Sequence, residues 1–281
     1  MAGHIAKSGC SLTVFNRNSQ KSIDFINAFS DYKVSYAKTP NEAAANSDYV
    51  ISCVGKDEDL EQITISDYGA FKSMKKSSVF IDHTTTSADV AIKISKIASH
   101  SGIHFMDAPV SGGNLGARKG QLSIMCGGDP EIYDQSKKIL ELYSSRSSLI
   151  GNHGSGQLAK MVNQICIAGL IQGLAEGINF GHKAGIDMDK VLETISEGAA
   201  SSWQMKNRGL TMLEGKYNFG FAVDLMRKDL AIALKKGQEF DAKLPVTEIV
   251  EKFYKDLHDS GHGKLDTTAL LLRLKNDKRK Y

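Results

Sequence analysis

Up to about residue 150, short apolar runs rich in β-branched residues alternate with stretches whose apolar positions recur at helical spacing. Leu12-Thr-Val-Phe15 predicts a strand, and Ser19 to Phe29 a helix. Ala-rich Asn41 to Ala45 precedes a second strand, Tyr49 to Val54. Val79-Phe-Ile81 and Ile103-His-Phe-Met106 predict two more strands, with a helix over Ser87 to Ala98 between them. Leu122 to Cys126 leads into a helix over Pro130 to Tyr143, where Pro in the first turn behind Asp129 is a favourable start. Strands alternating with helices imply a Rossmann-type parallel sheet covered by helices. The pattern changes after Gly151. From Ser155 to about Ala184 there is no Pro, which predicts one helix roughly 45 Å long at about 1.5 Å per residue. Further helical stretches follow at Asp187–Glu197, Ser202–Leu213, Ala222–Phe240, Pro245–His258 and Asp266–Leu274, with Asp187 and Asp266 as N-caps. The expected architecture is an α/β domain over residues 1–152 followed by an all-α domain over 153–281.

Composition narrows the class. The 281 residues are 41% hydrophobic with a net charge of +3, which excludes a disordered chain. The four Cys (Cys10, Cys53, Cys126, Cys166) form no CxxC pair and each falls in an apolar stretch. Buried, reduced thiols in a cytoplasmic protein are expected, with no zinc or disulfide framework and no bound metal. The basic cluster from Arg273 to Lys280 reads as a solvated end, so no nucleic-acid partner is expected. The most apolar stretch, Met161 to Phe180, carries Asn163, Gln164, Gln172 and Glu176, which argues against a membrane span. Met1 to Gly9 lacks a leader pattern and reads as the middle of a helix ending at Gly9.

A parallel sheet suggests a dinucleotide site at the carboxyl ends of its strands. The nearest match to the glycine fingerprint, Gly154-Ser-Gly156-Gln-Leu-Ala159, opens a helix too long for a crossover, with no strand after it. Its glycines instead imply a close approach of the backbone to a ligand or to the other domain. The turn Asn16-Arg17-Asn18 after the first strand is more informative, because Arg at this position accommodates the 2′-phosphate of NADP. Met106 to Gly120 places four glycines and Ser111 after a strand, a run of amide donors suited to a carboxylate or phosphate. His83, His104 and His153 have no acid at useful spacing and read as structural, and Trp203 reads as a core residue, with a wall of the substrate cleft as the alternative.

Three of these segments together resemble the β-hydroxyacid dehydrogenases, the family of 3-hydroxyisobutyrate dehydrogenase and tartronate semialdehyde reductase, related to 6-phosphogluconate dehydrogenase. They are D-A-P-V-S-G-G-x-x-G-A-x-x-G from Asp107 to Gly120, G-x-G-x-x-x-K from Gly154 to Lys160, and Lys228-Asp229-Leu. The resemblance implies an NADP-preferring oxidoreductase, with NAD as the alternative, interconverting a small 3-hydroxy acid and its semialdehyde. It makes Lys160 the catalytic acid/base, a role that requires a pKa lowered by burial or cationic neighbours. It assigns Ser111, Gly112 and Gly113 to the substrate carboxylate and Lys228 to the cofactor. The family has Asn four residues after the lysine; here Gln164 stands there with Asn163 before it, and either amide could orient the substrate. Asn16, Arg17, Val54, Gly55 and Thr85 fall at the family's cofactor positions. The Lys-x-x-His-Asn order of 6-phosphogluconate enzymes is absent. Relative to the family's opening G-x-G-x-M-G pattern, about 15 residues comprising the first strand and the glycine loop are expected to be missing, which would open both the sheet and the cofactor site. A homodimer or homotetramer is expected. The competing reading is a non-catalytic dimeric scaffold that has lost dinucleotide binding.

Overall fold

The computed structural model describes residues 1–276; Asp277 to Lys280 of the basic cluster lie outside the described residues. The chain divides into two compact units, Met1–Lys160 and the residues from Met161 onward.

The first unit runs α1 (Ala2–Lys7), β1 (Leu12–Val14), α2 (Ser19–Ala28), β2 (Val34–Tyr36), α3 (Pro40–Ala44), β3 (Tyr49–Ser52), α4 (Asp57–Ile65), β4 (Val79–Asp82), α5 (Ala88–His100), β5 (His104–Asp107), β6 (Val110–Ser111), α6 (Gly113–Lys119), β7 (Leu122–Gly127), α7 (Pro130–Leu140) and β8 (Ser144–Gly151). Its strands form two sheets rather than one. β1 and β2 pair in parallel by themselves, and the second sheet has the order β3-β4-β5-β7-β6 with β8 on β7. β3, β4 and β5 are mutually parallel, as the α/β alternation predicts. β7 enters antiparallel to β5 and β6, and β8 pairs with it in parallel. Ile81, Met106, Leu122 and Cys126 form the core on one face, with Phe80, Ile94 and Phe105 on the other.

The Gly-rich segment after β5, read from sequence as a run of loop amides, is mostly the helix α6. Gly112 (φ 121°) and Gly113 (φ 59°) make the left-handed turn that starts it, and Gly120 (φ 66°) ends it. Only Gly can hold such a succession without strain.

In the second unit α8 (Ser155–Lys183), which begins in the first, is followed by α9 (Met188–Ile195), α10 (Trp203–Leu213), α11 (Val223–Glu239), α12 (Pro245–Leu257) and α13 (Leu270–Asn276). Asp187 caps α9 by accepting from Lys190 N, and Asp266 accepts from Thr268 N ahead of α13. α8 is long and apolar enough by composition to cross a bilayer. Its hydropathy has another cause, since Ala168, Ile171, Ala175 and Ile178 are buried in the core formed with Leu230, Tyr254 and Leu270. Two side-chain expectations are corrected. Only Cys126 is buried; Cys10, Cys53 and Cys166 are exposed. Trp203 is 48% exposed at the start of α10, its ring covered by the Arg208 guanidinium at 5.1 Å, so it is not a core residue.

Candidate active site

The N-terminus of α8 is fixed to the sheet by buried polar groups. Asp107, at the end of β5, accepts from Gly154 N (2.7 Å, Oδ1) and Gln157 N (3.1 Å, Oδ2), taking two donors the helix cannot satisfy itself. Burial pushes its carboxyl up to about 6 in spite of these bonds, which oppose the shift. Gln157, fully buried, donates to Thr84 O (2.8 Å) and accepts from Thr86 N (3.0 Å), joining α8 to the turn after β4. In that turn Asp82 Oδ1 accepts from Ser52 Oγ and Thr84 Oγ1, both at 2.6 Å. Its carboxyl is likewise pushed up to about 6, chiefly by burial.

Gly156 explains the G-x-G spacing. A Cβ there would lie 2.4 Å from Met125 O and 2.8 Å from Asp107 O, so the helix start can lie against β5 and β7 only without a side chain. The close approach is to the unit's own sheet rather than to a ligand or the other domain.

This anchoring places Lys160 one turn further along α8. Its side chain is buried, 7% exposed, and Nζ donates to Val110 O at 2.9 Å. Val110 immediately precedes Ser111, so the structure brings Lys160 Nζ close to Ser111-Gly112-Gly113, the segment that the resemblance assigns to the substrate. A second group of assigned residues meets elsewhere in the first unit. Asn16, Arg17, Val54 and Gly55 line one cavity of about 540 Å3 that extends along β1 and β3 and takes in their carboxyl ends. Asn16 Oδ1 accepts from Asn18 N (3.0 Å), and Val54 N donates to Thr84 Oγ1 (2.9 Å). Arg17 Nη1 pairs with Asp59 Oδ1 at 3.0 Å. Thr85 is half-buried beside Thr84, outside that cavity's lining. His83 is structural, as expected: it lies buried between Ala108 O (2.6 Å) and Tyr143 Oη (2.9 Å), and burial lowers its pKa to about 4.

In the second unit Gln164 is 2% exposed and its amide has partners on both sides. Nε2 donates to Asp229 Oδ2 and Oε1 accepts from Asn163 Nδ2, both at 2.7 Å. Lys228 Nζ lies 3.2 Å from Asp229 Oδ1, so Asn163, Gln164, Asp229 and Lys228 form one chain of contacts. Sequence reading missed Asp229, Asp107 and Gln157 as organising residues. Each lies within a quoted motif, but its partner is distant in sequence.

Residues 1–151 match the model of the NAD-binding domain of 6-phosphogluconate dehydrogenase, and residues 154–274 the model for the NAD-binding domain of NADP-dependent 3-hydroxyisobutyrate dehydrogenase. The chain belongs to the β-hydroxyacid dehydrogenase family. The family's members are NAD(P)-dependent oxidoreductases of 3-hydroxy acids, which is the class of this enzyme. An oxidoreductase of Shewanella frigidimarina is 46% identical, over 99% of this chain and 94% of that protein. The 2-hydroxy-3-oxopropionate reductase of Escherichia coli is 31% identical over 84% of this chain and 81% of its own. Among solved structures, 3-hydroxyisobutyrate dehydrogenase from Salmonella typhimurium superposes with a TM-score of 0.86 at 24% identity, covering 96% of this chain and 94% of that one. At that identity the likeness speaks for the fold.

Proposed function

We propose that this β-hydroxyacid dehydrogenase is NADP-preferring and interconverts a small 3-hydroxy acid and its semialdehyde, with Lys160 as acid/base. The observation that carries the reading is the burial of Lys160 with Nζ held against Val110 O, at the edge of the Ser111–Gly113 segment. The cavity along β1 and β3 suits a dinucleotide at its carboxyl-end portion, which has a polar, basic rim at Asn16 and Arg17 and a strand end at Val54 and Gly55. Arg17, Asn16, Val54, Gly55, Thr85 and Lys228 would hold NADP. The pair between Arg17 and Asp59 leaves the arginine side chain 68% exposed, and an ion pair of this kind, worth less than about 1 kcal/mol, yields readily to a phosphate. When bound, the nicotinamide supplies the hydride donor or acceptor.

The chain's own residues do the rest. Ser111, Gly112 and Gly113 take the substrate carboxylate, fixing which carbon faces the cofactor. In oxidation, Lys160 Nζ receives the hydroxyl proton as the carbon–hydrogen bond gives up hydride and the carbonyl forms. In reduction, Nζ returns that proton to the oxygen. One of the two amides, Asn163 or Gln164, orients the hydroxyl, and Gln164 is held by Asp229. The test is steady-state turnover of short-chain semialdehydes with NADPH and with NADH. Reduction of at least one with higher kcat/KM for NADPH is expected; an enzyme that binds NADPH yet reduces none would overturn the reading.

A further inference from the structure

The turn between β4 and α5, residues 84–87, is tied by polar groups on two sides within the first unit. On one side it meets the segment after β3. Thr84 Oγ1 accepts from Val54 N at 2.9 Å, and Ser87 N (2.9 Å) and Ser87 Oγ donate to the two carboxylate oxygens of Asp57. On the other side the Gln157 side chain links the turn to the start of α8. Its Nε2 donates to Thr84 O (2.8 Å), and its Oε1 accepts from Thr86 N (3.0 Å). Thr84, Thr86 and Gln157 are all buried. A buried amide that serves a carbonyl and an N–H at once fixes distance and orientation together, and its removal strands both main-chain groups.

The remaining holds on the start of α8 run to the sheet. Asp107 accepts from Gly154 N and Gln157 N, and Gly156 lies against Met125 O. These contacts set where the helix rests on β5 and β7. The Gln157 amide instead sets its register against the turn that carries Thr85, which is half-buried between the two tied threonines. Lys160 follows Gln157 by three residues, a spacing that places both on neighbouring positions of one helix face. A shift of the turn is therefore passed to the part of α8 from which Lys160 Nζ reaches Val110 O.

We propose that Gln157 is a positioning residue for Lys160. It couples residues 54–57 and 84–87 to the helix that carries the lysine, so that the arrangement these segments take around a bound dinucleotide also brings Nζ into register for proton transfer. The inference rests on the reading of Lys160 as acid/base and of Val54, Gly55 and Thr85 as cofactor positions. Such coupling is reciprocal: a dinucleotide on the turn steadies the start of α8, and loosening that start weakens dinucleotide binding by the same factor.

The test is hydrogen exchange read by mass spectrometry on the full chain, with and without NADPH, for the unsubstituted protein, Gln157→Leu and Gln157→Glu. In the unsubstituted protein NADPH is expected to slow exchange in residues 52–57 and 84–87, and by at least about fivefold in residues 154–160. Gln157→Leu fills the space but serves neither main-chain group, so the slowing should persist in the first two segments and vanish in the third. Gln157→Glu keeps the acceptor for Thr86 N and should lie between the two, which decides the matter if the leucine variant does not fold. In semialdehyde reduction kcat of Gln157→Leu should fall at least about tenfold, since a misplacement of about 1 Å costs about 10²-fold, while Kd for NADPH rises by no more than about threefold. A loss of stability alone would leave kcat per folded molecule unchanged. Slowing of residues 154–160 in a folded variant equal to that in the unsubstituted protein, or an unchanged kcat, would overturn the proposal. Exchange in residues 52–57 and 84–87 of the unsubstituted protein that does not respond to NADPH would overturn the cofactor reading, and the coupling with it.

Discussion

At Gly156 a methyl group has nowhere to go, since two carbonyl oxygens lie within 2.8 Å of where its carbon would sit. Gly156→Ala is expected to lower stability by about 2–4 kcal/mol in denaturant unfolding. Gly173 on the same helix meets nothing within 4 Å, and Gly173→Ala should raise stability by about 0.5–1 kcal/mol. The sequence shows both as glycines at helical spacing; only the packing separates them. Titration is equally a matter of single residues. Asp82, pushed up to about 6 by burial, keeps its proton in the folded chain at pH values where the unfolded chain has lost it. Its contribution is therefore complete below the ordinary aspartate value and falls away as pH rises toward 6. The stability difference between Asp82→Asn and the unsubstituted protein should shift in the variant's favour from about pH 4 to 6 and stay constant above. His83, held at about 4, has the opposite sign: its contribution is complete above the ordinary histidine value and is lost as pH falls toward 4. A parallel dependence in Asp82→Asn and the unsubstituted protein would contradict the assignment.

Among the elements, those with strong periodicity were legible: α2, α5, α7, α8 and the helices of the second unit, together with β1, β3, β4, β5 and β7. Three were not. β2 is three residues long and largely exposed, and β8, Ser-Ser-Arg-Ser-Ser-Leu-Ile-Gly, is polar and becomes a strand through its long pairing with β7. α4 has only Leu60 and Thr64 buried, so its apolar spacing is faint, although its first turn carries Asp57, Glu58 and Asp59, a favourable helix start. The same limit hid the anchoring of α8, whose N-terminal donors go to Asp107, 47 residues away from Gly154 in sequence. Asp107→Ala leaves two buried N–H groups without an acceptor and should cost about 2–4 kcal/mol in thermal or denaturant unfolding. An unchanged transition would show that those donors find other partners.

In the molecule as a whole, the site reading is divided between what the motifs imply and what packing adds. Lys160, Ser111, Gly112 and Gly113 are nominated by long, specific motifs. The anchors of the helix that carries Lys160, Asp107 and Gln157, and the partner of Gln164, Asp229, follow from tertiary contacts no spacing discloses. The central claim is that a lysine buried at 7% exposure, anchored through the start of α8, moves the proton of a hydride transfer. Single-turnover reduction by Lys160→Ala, with NADPH affinity measured in parallel, tests it most directly. The rate should fall by about 10²- to 10⁴-fold while the affinity for NADPH changes by no more than about twofold. A variant that transfers hydride at the unsubstituted rate, or that loses activity only because it no longer binds NADPH, would contradict it.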